Sequence, residues 1–402
     1  MMPTHRSTTR ALALTAAAGL ALSSCTLLGG EDEEPAPAPA PAPTQDVADE
    51  GEGTTGAGAD DDSSTATAGG DGDTSTATDA APTTDEVVLV THSSFNVPDE
   101  LVASFEAETG WDLTIQSSGD AGELTNRLVL TSGSPIGDVV FGVDNTYASR
   151  AVDEGVLAAY TPSDLPESAE EHALQGGAAY LTPVDFGDVC VNVDDVWFAN
   201  NGIAPPQTLT DLTEPEYEDL FVTPGASTSS PGMAFLLATV GEFGPGQWQG
   251  YWEDLMANGA KVTSGWTDAY TVDFTAGGGG GDRPIVLSYA SSPPFTIPEG
   301  GFQPTTRALM ETCFRQVEYA GVLEGAENPE GAQAVVDWLV SPQVQASIPD
   351  NMFMFPVDDE VALPELWAQW ATVAEDPIVV HPDQIEAERE TWLREWADIA
   401  TG

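Results

Sequence analysis

Short apolar strand patterns alternate with amphipathic helical patterns from residue 86 onward, and this alternation constrains the fold more than any other feature. Residues 86–91 (Glu-Val-Val-Leu-Val-Thr) form an apolar, β-branched run. Residues 98–110 follow with helical spacing, and residues 111–116 form a second strand pattern. Such alternation is typical of a mostly parallel sheet covered by helices. The sequence therefore predicts an α/β fold.

The same alternation continues over about 317 residues, which is long enough for two lobes. Further strands are predicted at residues 138–143, 189–193, 220–222 and 284–289, and further helices at 122–130, 231–240, 248–258, 329–339 and 382–399.

The first 25 residues have the features of an export signal. Two arginines precede an apolar run at residues 11–22, and Leu22-Ser23-Ser24-Cys25 closes the segment. The run is shorter than the roughly 20 residues needed to span a bilayer, and the arrangement is typical of a secretory signal peptide. Its ending resembles the lipobox of bacterial lipoproteins, which implies that Cys25 is lipidated. An ordinary signal peptide with a chance cysteine is the alternative.

Residues 26–85 form a low-complexity segment after this signal. Proline and alanine alternate at residues 35–43, and the rest is mostly Asp, Glu, Gly, Ser, Thr and Ala. Such a composition offers almost nothing to bury and favours disorder. We therefore expect an acidic, disordered tether between a lipid anchor on the outer face of the cell membrane and the folded part.

The charge of the chain argues against one class of partner. The sequence has 66 acidic residues against 10 lysines and arginines, a net charge of −56. So few cations cannot neutralise phosphates, which argues against nucleic acid. An acidic surface attracts a cationic ligand. We interpret most of the scattered carboxylates as an adaptation to high salt.

The three cysteines indicate one disulfide. If Cys25 carries lipid, Cys190 and Cys313 remain as a pair in an oxidising compartment, which predicts a bridge between them. Two buried free thiols are the alternative.

The sequence contains no motif typical of a catalytic or metal site. The four histidines, at positions 5, 92, 172 and 381, lack metal-ligand spacing. The five glycines at residues 277–281 lack the Lys-Ser/Thr of a phosphate loop, and the common hydrolase, protease and dinucleotide motifs do not occur. We therefore predict a protein without metal or cofactor.

Four segments predict binding loops. Residues 227–232 (Ser-Thr-Ser-Ser-Pro-Gly) place hydroxyls and N–H groups at a predicted helix start, which suits an anion. Simple N-capping is the alternative there. Residues 263–270, 287–295 and 348–356 combine aromatic and turn-forming residues. Aromatic faces pack flat rings and attract cations, at about 0.5–2 kcal/mol each. Core packing is the alternative for any one ring.

Two aspartates complete the candidate set. Asp144 ends a predicted strand, and ligands of open α/β sheets bind at the carboxyl ends of strands. We therefore predict Asp144 as a counter-charge for a cation. Asp185 lies where the chain could cross between lobes, and we interpret it as a residue that fixes the hinge.

In their order, these segments resemble the thiamine-binding proteins of bacterial ABC importers over essentially all of residues 86–402. The motifs Gly-Trp-x-x-Ala-Tyr (265–270) and Ser-Tyr-x-x-Ser-Pro (288–293) are the most specific part. The resemblance implies a two-lobed periplasmic-binding-protein type II fold with the ligand in the interlobe cleft. The implied limits are 86–185 for the first part of lobe 1, 186–292 for lobe 2 and 293–402 for a return to lobe 1, with crossovers at 185–187 and 292–293.

The resemblance also implies a monomer that captures thiamine or its mono- or diphosphate and delivers it to an ABC permease. The matching positions place the ligand rings against Trp266, Tyr289, Phe295 and Phe353, the phosphate on Ser227, Thr228, Ser229, Ser230 and Gly232, and the thiazolium near Asp144. Tyr270, the last residue of the motif at 265–270, is also predicted to bind the ligand.

Two other functions stay open. A binding protein for another cationic solute or metal, such as a polyamine or ferric ion, would also suit the acids and rings. A thiamine-processing enzyme on the same fold would need a positioned nucleophile, commonly cysteine. Because Cys190 and Cys313 lie away from the binding segments, we do not expect an enzyme.

Overall fold

The computed structural model describes residues 85–401. The predicted signal peptide, the lipidated Cys25 and almost all of the predicted tether lie outside these residues. In the described part of the chain, no helix is both long and apolar enough to span a bilayer.

Eleven strands and ten α-helices make up the described part. The strands are β1 Glu86–Thr91, β2 Asp112–Ser117, β3 Val139–Asp144, β4 Leu157–Ala158, β5 Thr182–Asp194, β6 Phe221–Pro224, β7 Lys261–Thr263, β8 Ile285–Tyr289, β9 Thr306–Ala308, β10 Phe314–Leu323 and β11 Phe355–Pro356. The helices are α1 Asp99–Thr109, α2 Ala121–Leu130, α3 Ala148–Asp153, α4 Asp195–Asn201, α5 Ser230–Phe243, α6 Trp248–Ala257, α7 Pro329–Leu339, α8 Pro342–Asn351, α9 Glu365–Trp370 and α10 Pro382–Thr401.

One curled sheet runs through both lobes in the order β2-β1-β3-β10-β5-β8-β6-β7. In lobe 1, β1 pairs in parallel with β2 and β3. In lobe 2, β6 pairs in parallel with β7 and β8. The shared strands β5 and β10 run antiparallel to each other and to their outer neighbours. This arrangement confirms the predicted α/β fold, with parallel outer strands in each lobe.

The long strand β5 carries the chain from lobe 1 to lobe 2. Its first half pairs with β10, and residues Val189 to Val193 pair with β8. The crossing strand therefore includes Asp185.

The return crossing differs from the prediction at residues 292–293. After that point the chain stays with lobe 2, because β9 pairs with the end of β5 at Asn192 to Asp194. The chain returns through β10, a strand that the sequence analysis did not identify. A 3₁₀ turn, Pro293–Thr296, occupies the position of the predicted crossover.

The C-terminal helix also departs from the predicted return to lobe 1. Residues from β10 through β11 do pack in lobe 1, but α10 packs on α6 in the lobe 2 core. Trp396 of α10 meets Trp252 of α6 edge-on, with ring centroids 5.7 Å apart. Between α9 and α10, the Ile378 N–H donates to the carbonyl of Cys313, the residue just before β10, at 2.7 Å. The apolar face of α10 thus decides which lobe it joins.

Each lobe buries apolar side chains on both faces of its sheet. In lobe 1, α1, α7 and α8 cover one face and α2 and α3 the other. In lobe 2, α5 is buried on all sides from Ser230 to Val240, which is typical of a central helix. Cys190 of β5 and Cys313, just before β10, form a disulfide that joins the two crossing strands.

Candidate functional site

A cavity of about 250 Å³ lies between the two lobes. Lobe 1 contributes the loop after β1, the start of α2 and the end of α8 with the residues that follow it. Lobe 2 contributes the start of α5, the loop after β7 and the last residue of β8, and the shared strand β10 contributes Glu318. Polar and aromatic side chains share the lining, which consists of His92, Ser94, Asn96, Asp120, Ser230, Pro231, Trp266, Thr267, Tyr289, Glu318, Asp350, Asn351, Met352, Phe353 and Met354.

Three aromatic rings from separate segments meet at this cavity. The Trp266 ring centroid lies 6.4 Å from those of both Tyr289 and Phe353. The Trp266 indole N–H donates to the Ser288 hydroxyl at 2.9 Å, which fixes the ring. Trp266 and Tyr289 belong to lobe 2, whereas Phe353 follows α8 of lobe 1. A flat ligand between the lobes would therefore be contacted from both sides.

Two of the predicted ring contacts lie one layer behind the cavity. A π-helical turn, Asp268–Asp273, places Tyr270 parallel to Trp266 with centroids 5.0 Å apart. Phe295 meets Phe353 edge-on at 4.5 Å and is 42% exposed. Neither ring lines the cavity. Both support a ring that does, so their direct contact with ligand stays a prediction.

Phe353 has an unusual backbone conformation, with φ of 61°. Such a conformation costs a bulky residue about 1–3 kcal/mol and persists only where surrounding contacts impose it. Here the Ser291 hydroxyl, from lobe 2, donates to the Phe353 carbonyl at 2.7 Å. This contact holds a lobe 1 ring over the cavity.

The predicted anion loop is only partly at the cavity. Ser230 lines it, and Ser229 is buried beside it at the N-terminus of α5. Neither hydroxyl makes a hydrogen bond of good geometry within residues 85–401. The Ser230 hydroxyl is nevertheless close enough to the Asp144 carboxyl to lower its pKa. The Thr228 hydroxyl instead donates to the Ser264 carbonyl at 2.6 Å, and Ser227 is exposed. Free buried hydroxyls at a helix N-terminus suit an anion.

Gly232 has a packing role in this loop. A Cβ atom at Gly232 would lie 2.4 Å from the Gly225 carbonyl oxygen. Only glycine therefore lets α5 start against the end of β6. This packing brings Ser230 to the cavity, and Gly232 itself does not line it.

Asp144 is fully buried and closes the turn after β3. Its Oδ1 accepts from the Thr146 N–H at 2.7 Å and from the Thr146 hydroxyl at 2.6 Å. Its Oδ2 has no hydrogen-bond partner in the described residues, although the Ser230 hydroxyl is nearby. Burial raises the pKa of Asp144 to about 6, against the lowering effect of Ser230 and Thr146. It does not line the cavity, so its direct role toward a cation stays a prediction.

The sequence analysis missed an ionisable pair at the cavity, His92 and Glu318. Glu318 Oε2 lies 3.5 Å from His92 Nε2. Glu318 Oε1 accepts from the Gln316 amide at 3.0 Å, and the Tyr289 hydroxyl donates to the same amide group at 3.3 Å. A single acid within the apolar segment Phe314–Leu323 is the signal that could have identified Glu318.

The rim of the cleft is closed by direct contacts between the lobes. The Tyr147 hydroxyl donates to the Ala226 carbonyl at 2.7 Å. Arg389 of α10 donates to the Thr146 carbonyl at 3.2 Å and to the Ser149 hydroxyl at 3.1 Å. The structure is therefore a closed form, in which both lobes would enclose a ligand.

A larger groove of about 870 Å³ lies elsewhere, beside β11. Acids such as Glu167 and Glu171 line it, together with Phe186 and Phe355. None of the predicted ligand-binding residues lines this groove. Within residues 85–401, no group of three or more His, Cys, Asp or Glu side chains could hold a metal ion.

Two α/β lobes joined by crossing strands, with a small cavity between them, define a class of proteins that close around a solute. The chain belongs to the bacterial extracellular solute-binding proteins, whose family model matches residues 92–346.

Individual relatives are more specific. The thiamine-binding periplasmic protein of Salmonella typhimurium is 31% identical over 299 residues, which cover 73% of this chain and 85% of the relative. The protein of the same name from Brucella abortus is 27% identical over 324 residues, covering 79% and 92%. These matches confirm the resemblance inferred from the binding segments.

Solved structures agree with the fold. A periplasmic thiamin binding protein matches with a TM-score of 0.68 at 26% identity, over 78% of this chain and 96% of that one. A ferric binding protein from Campylobacter jejuni matches with a TM-score of 0.62 at 14% identity, over 78% and 99%. The second match concerns the fold alone. Together they confirm the two-lobed type II architecture.

Proposed function

We propose that this protein captures thiamine, or thiamine mono- or diphosphate, outside the cytoplasm and delivers it to an ABC permease. The observation that carries the proposal is the meeting of Trp266, Tyr289 and Phe353 in one interlobe cavity that also contains the Glu318 carboxylate. Aromatic faces and a carboxylate together suit a flat, positively charged heterocycle. The names of the relatives support this choice of ligand.

Calorimetric titration tests the ligand directly. We expect thiamine and its phosphates to bind, and spermidine and Fe(III) to bind weakly or not at all. Binding of spermidine or Fe(III) without binding of thiamine would favour a binding protein for another cation. The protein should be unfolded and refolded during purification, so that ligand retained from the cell does not occupy the cavity during the titration.

The start of α5 is the proposed position of a phosphate group. Replacing both Ser229 and Ser230 by alanine removes two buried hydroxyls that could donate to phosphate. We expect affinity for thiamine monophosphate to fall about tenfold, with affinity for thiamine changed much less. Titrations of the variant with both ligands measure the ratio, and an unchanged ratio would argue against this position.

The protein is proposed to bind its ligand without chemical change. Its relatives are solute-binding proteins, and Cys190 and Cys313 are joined to each other rather than free. Thiamine incubated with the protein should therefore be recovered intact by mass spectrometry. Cleaved thiamine would support the alternative of a thiamine-processing enzyme.

Lipid attachment at Cys25 is proposed as the membrane anchor, with the protein exported and monomeric. The support is the sequence Leu22-Ser23-Ser24-Cys25 after an apolar run. The intact mass of the mature protein should correspond to a chain that starts at Cys25 and carries lipid. An unmodified Cys25 thiol would contradict the anchor, and sedimentation of the delipidated domain tests the monomer.

A further inference from the structure

A buried carboxylate and a buried imidazole face each other in the wall of the cavity. Glu318 is 5% exposed and His92 is 7% exposed. Glu318 Oε2 lies 3.5 Å from His92 Nε2. In this closed form His92 Nδ1 accepts from the Ser94 N–H at 3.1 Å, so the ring is neutral with its single proton on Nε2, toward Glu318. A second proton on Nδ1 would break the bond to Ser94.

Asp185 completes the buried network from the other crossing strand. It pairs with Glu318 in the register of β5 and β10. Burial, followed by the negative charge of Glu318, raises the pKa of Asp185 well above its usual value. Neither Asp185 oxygen meets a donor in the described residues. A neutral Asp185 would donate its own proton to Glu318, which keeps Glu318 as the charged member.

The charge state of His92 depends on acids from several elements. Burial lowers the pKa of His92, but Glu318 from β10, Asp120 from the start of α2 and Asp144 from the end of β3 raise it overall. Burial likewise raises the pKa of Glu318, but His92 together with hydrogen bonds from Asp185 and Gln316 lowers it overall. Asp350 of α8 also lines the cavity. As long as no cation occupies the cavity, these acids favour a protonated His92, and the neutral ring bonded to Ser94 is the state that remains once that proton is lost.

A cation in the cavity would compete with the His92 proton. Two positive charges beside one buried carboxylate repel each other at low dielectric. A neutral ligand of the same shape would leave the pair undisturbed.

We propose that Glu318 selects for a positively charged ligand, and that protonated His92 occupies this carboxylate until ligand binding releases the proton. This inference rests on the proposed function, because it deepens the recognition of a cationic heterocycle by the same cavity. Glu318 is then the specificity-determining acid, and His92 makes cation binding dependent on pH.

The sign of the pH dependence follows from the released proton. Free protein holds the His92 proton more tightly than the complex does. Cation affinity should therefore rise with pH up to the pKa of His92 in the free protein, and level off above it. Binding of a neutral analogue should not follow this profile.

A pair of ligands that differ in one charge tests the role of Glu318. Thiamine has a permanent positive charge on its thiazolium ring, and 3-deazathiamine is an uncharged isostere. Wild type should prefer thiamine. Glu318→Gln should lower thiamine affinity about tenfold and leave 3-deazathiamine affinity nearly unchanged. Glu324→Gln is the matched control, since Glu324 is exposed just after the same strand.

The outcomes distinguish this inference from the proposed function. A wild-type protein that binds neither ligand would contradict the proposed function. A wild-type protein that binds thiamine, with the same thiamine to 3-deazathiamine ratio in Glu318→Gln, would overturn the role of Glu318. Retained 3-deazathiamine binding shows that the variant is folded.

Proton release tests the role of His92. Calorimetry of thiamine binding in buffers of different ionisation enthalpy, between about pH 6 and 9, should show proton release by wild type and none by His92→Gln. The variant should also lose the rise of affinity with pH. Release of equal numbers of protons by wild type and variant, or no release by wild type, would overturn the proposed role of His92. Titrations with 3-deazathiamine correct for protons exchanged by the aminopyrimidine ring that both ligands share.

Discussion

Replacing Trp266 by alanine is expected to weaken thiamine binding about 100-fold. Trp266 is the ring that both Tyr289 and Phe353 approach, and its indole N–H is held by Ser288. Its removal would open the cavity to water and leave Tyr270 without a stacking partner. Isothermal titration calorimetry measures the loss directly.

A conservative variant and a remote one control this experiment. Trp266→Phe keeps a ring but loses the bond to Ser288, so its affinity should lie between wild type and Trp266→Ala. Trp197→Ala removes a partly buried tryptophan that packs on the lobe 2 core and does not line the cavity. It should bind thiamine like wild type. Unchanged affinity in Trp266→Ala would show that the ligand lies elsewhere.

Removing the disulfide should lower the free energy of unfolding by about 4 kcal/mol. Cys190 and Cys313 are 123 residues apart in sequence, so the bridge closes a long loop in the unfolded chain. It also joins β5 and β10, the two strands on which both lobes depend. Urea unfolding of Cys190→Ala/Cys313→Ala, followed by tryptophan fluorescence, tests this expectation.

Reducing agent provides the matched control for the disulfide. Reductant should shift the unfolding midpoint of wild type toward that of the double variant, and should leave the midpoint of the double variant unchanged. Equal midpoints for wild type and variant without reductant would contradict a stabilising bridge. Thiamine binding by the folded variant would show that the bridge acts on stability rather than on the site.

Most of the secondary structure near the cavity could be predicted from local patterns. The predicted helix at residues 329–339 is α7, and the predicted strand at 284–289 differs from β8 by one residue. Periodicity decides such elements because burial on one face repeats along the chain. The strand β10 was missed, although Phe314–Leu323 is largely apolar. That omission also explains the misplaced return crossing at residues 292–293.

The aromatic part of the site was more predictable than its ionisable part. Trp266, Tyr289 and Phe353 lie in segments where rings stand beside turn-forming residues, and the structure brings all three to one cavity. Tyr270 and Phe295 come from the same segments but lie one layer behind, because side-chain direction in a loop depends on the whole fold. His92 gave no signal, since a lone histidine has no partner within its own segment.

The sequence alone determined the alternation of strands and helices and the aromatic and serine-rich loops. It also indicated that Cys190 and Cys313 pair with each other. These features follow from local periodicity, turn chemistry and composition. Only the tertiary structure decided which residues share the cavity. Glu318 reaches Asp185 and His92 through the pairing of β10 with β5 and of β1 with β3, and α10 joins lobe 2 through its contact with α6. The physical reason is that strand register and helix packing are set by contacts between distant segments, which no local pattern records.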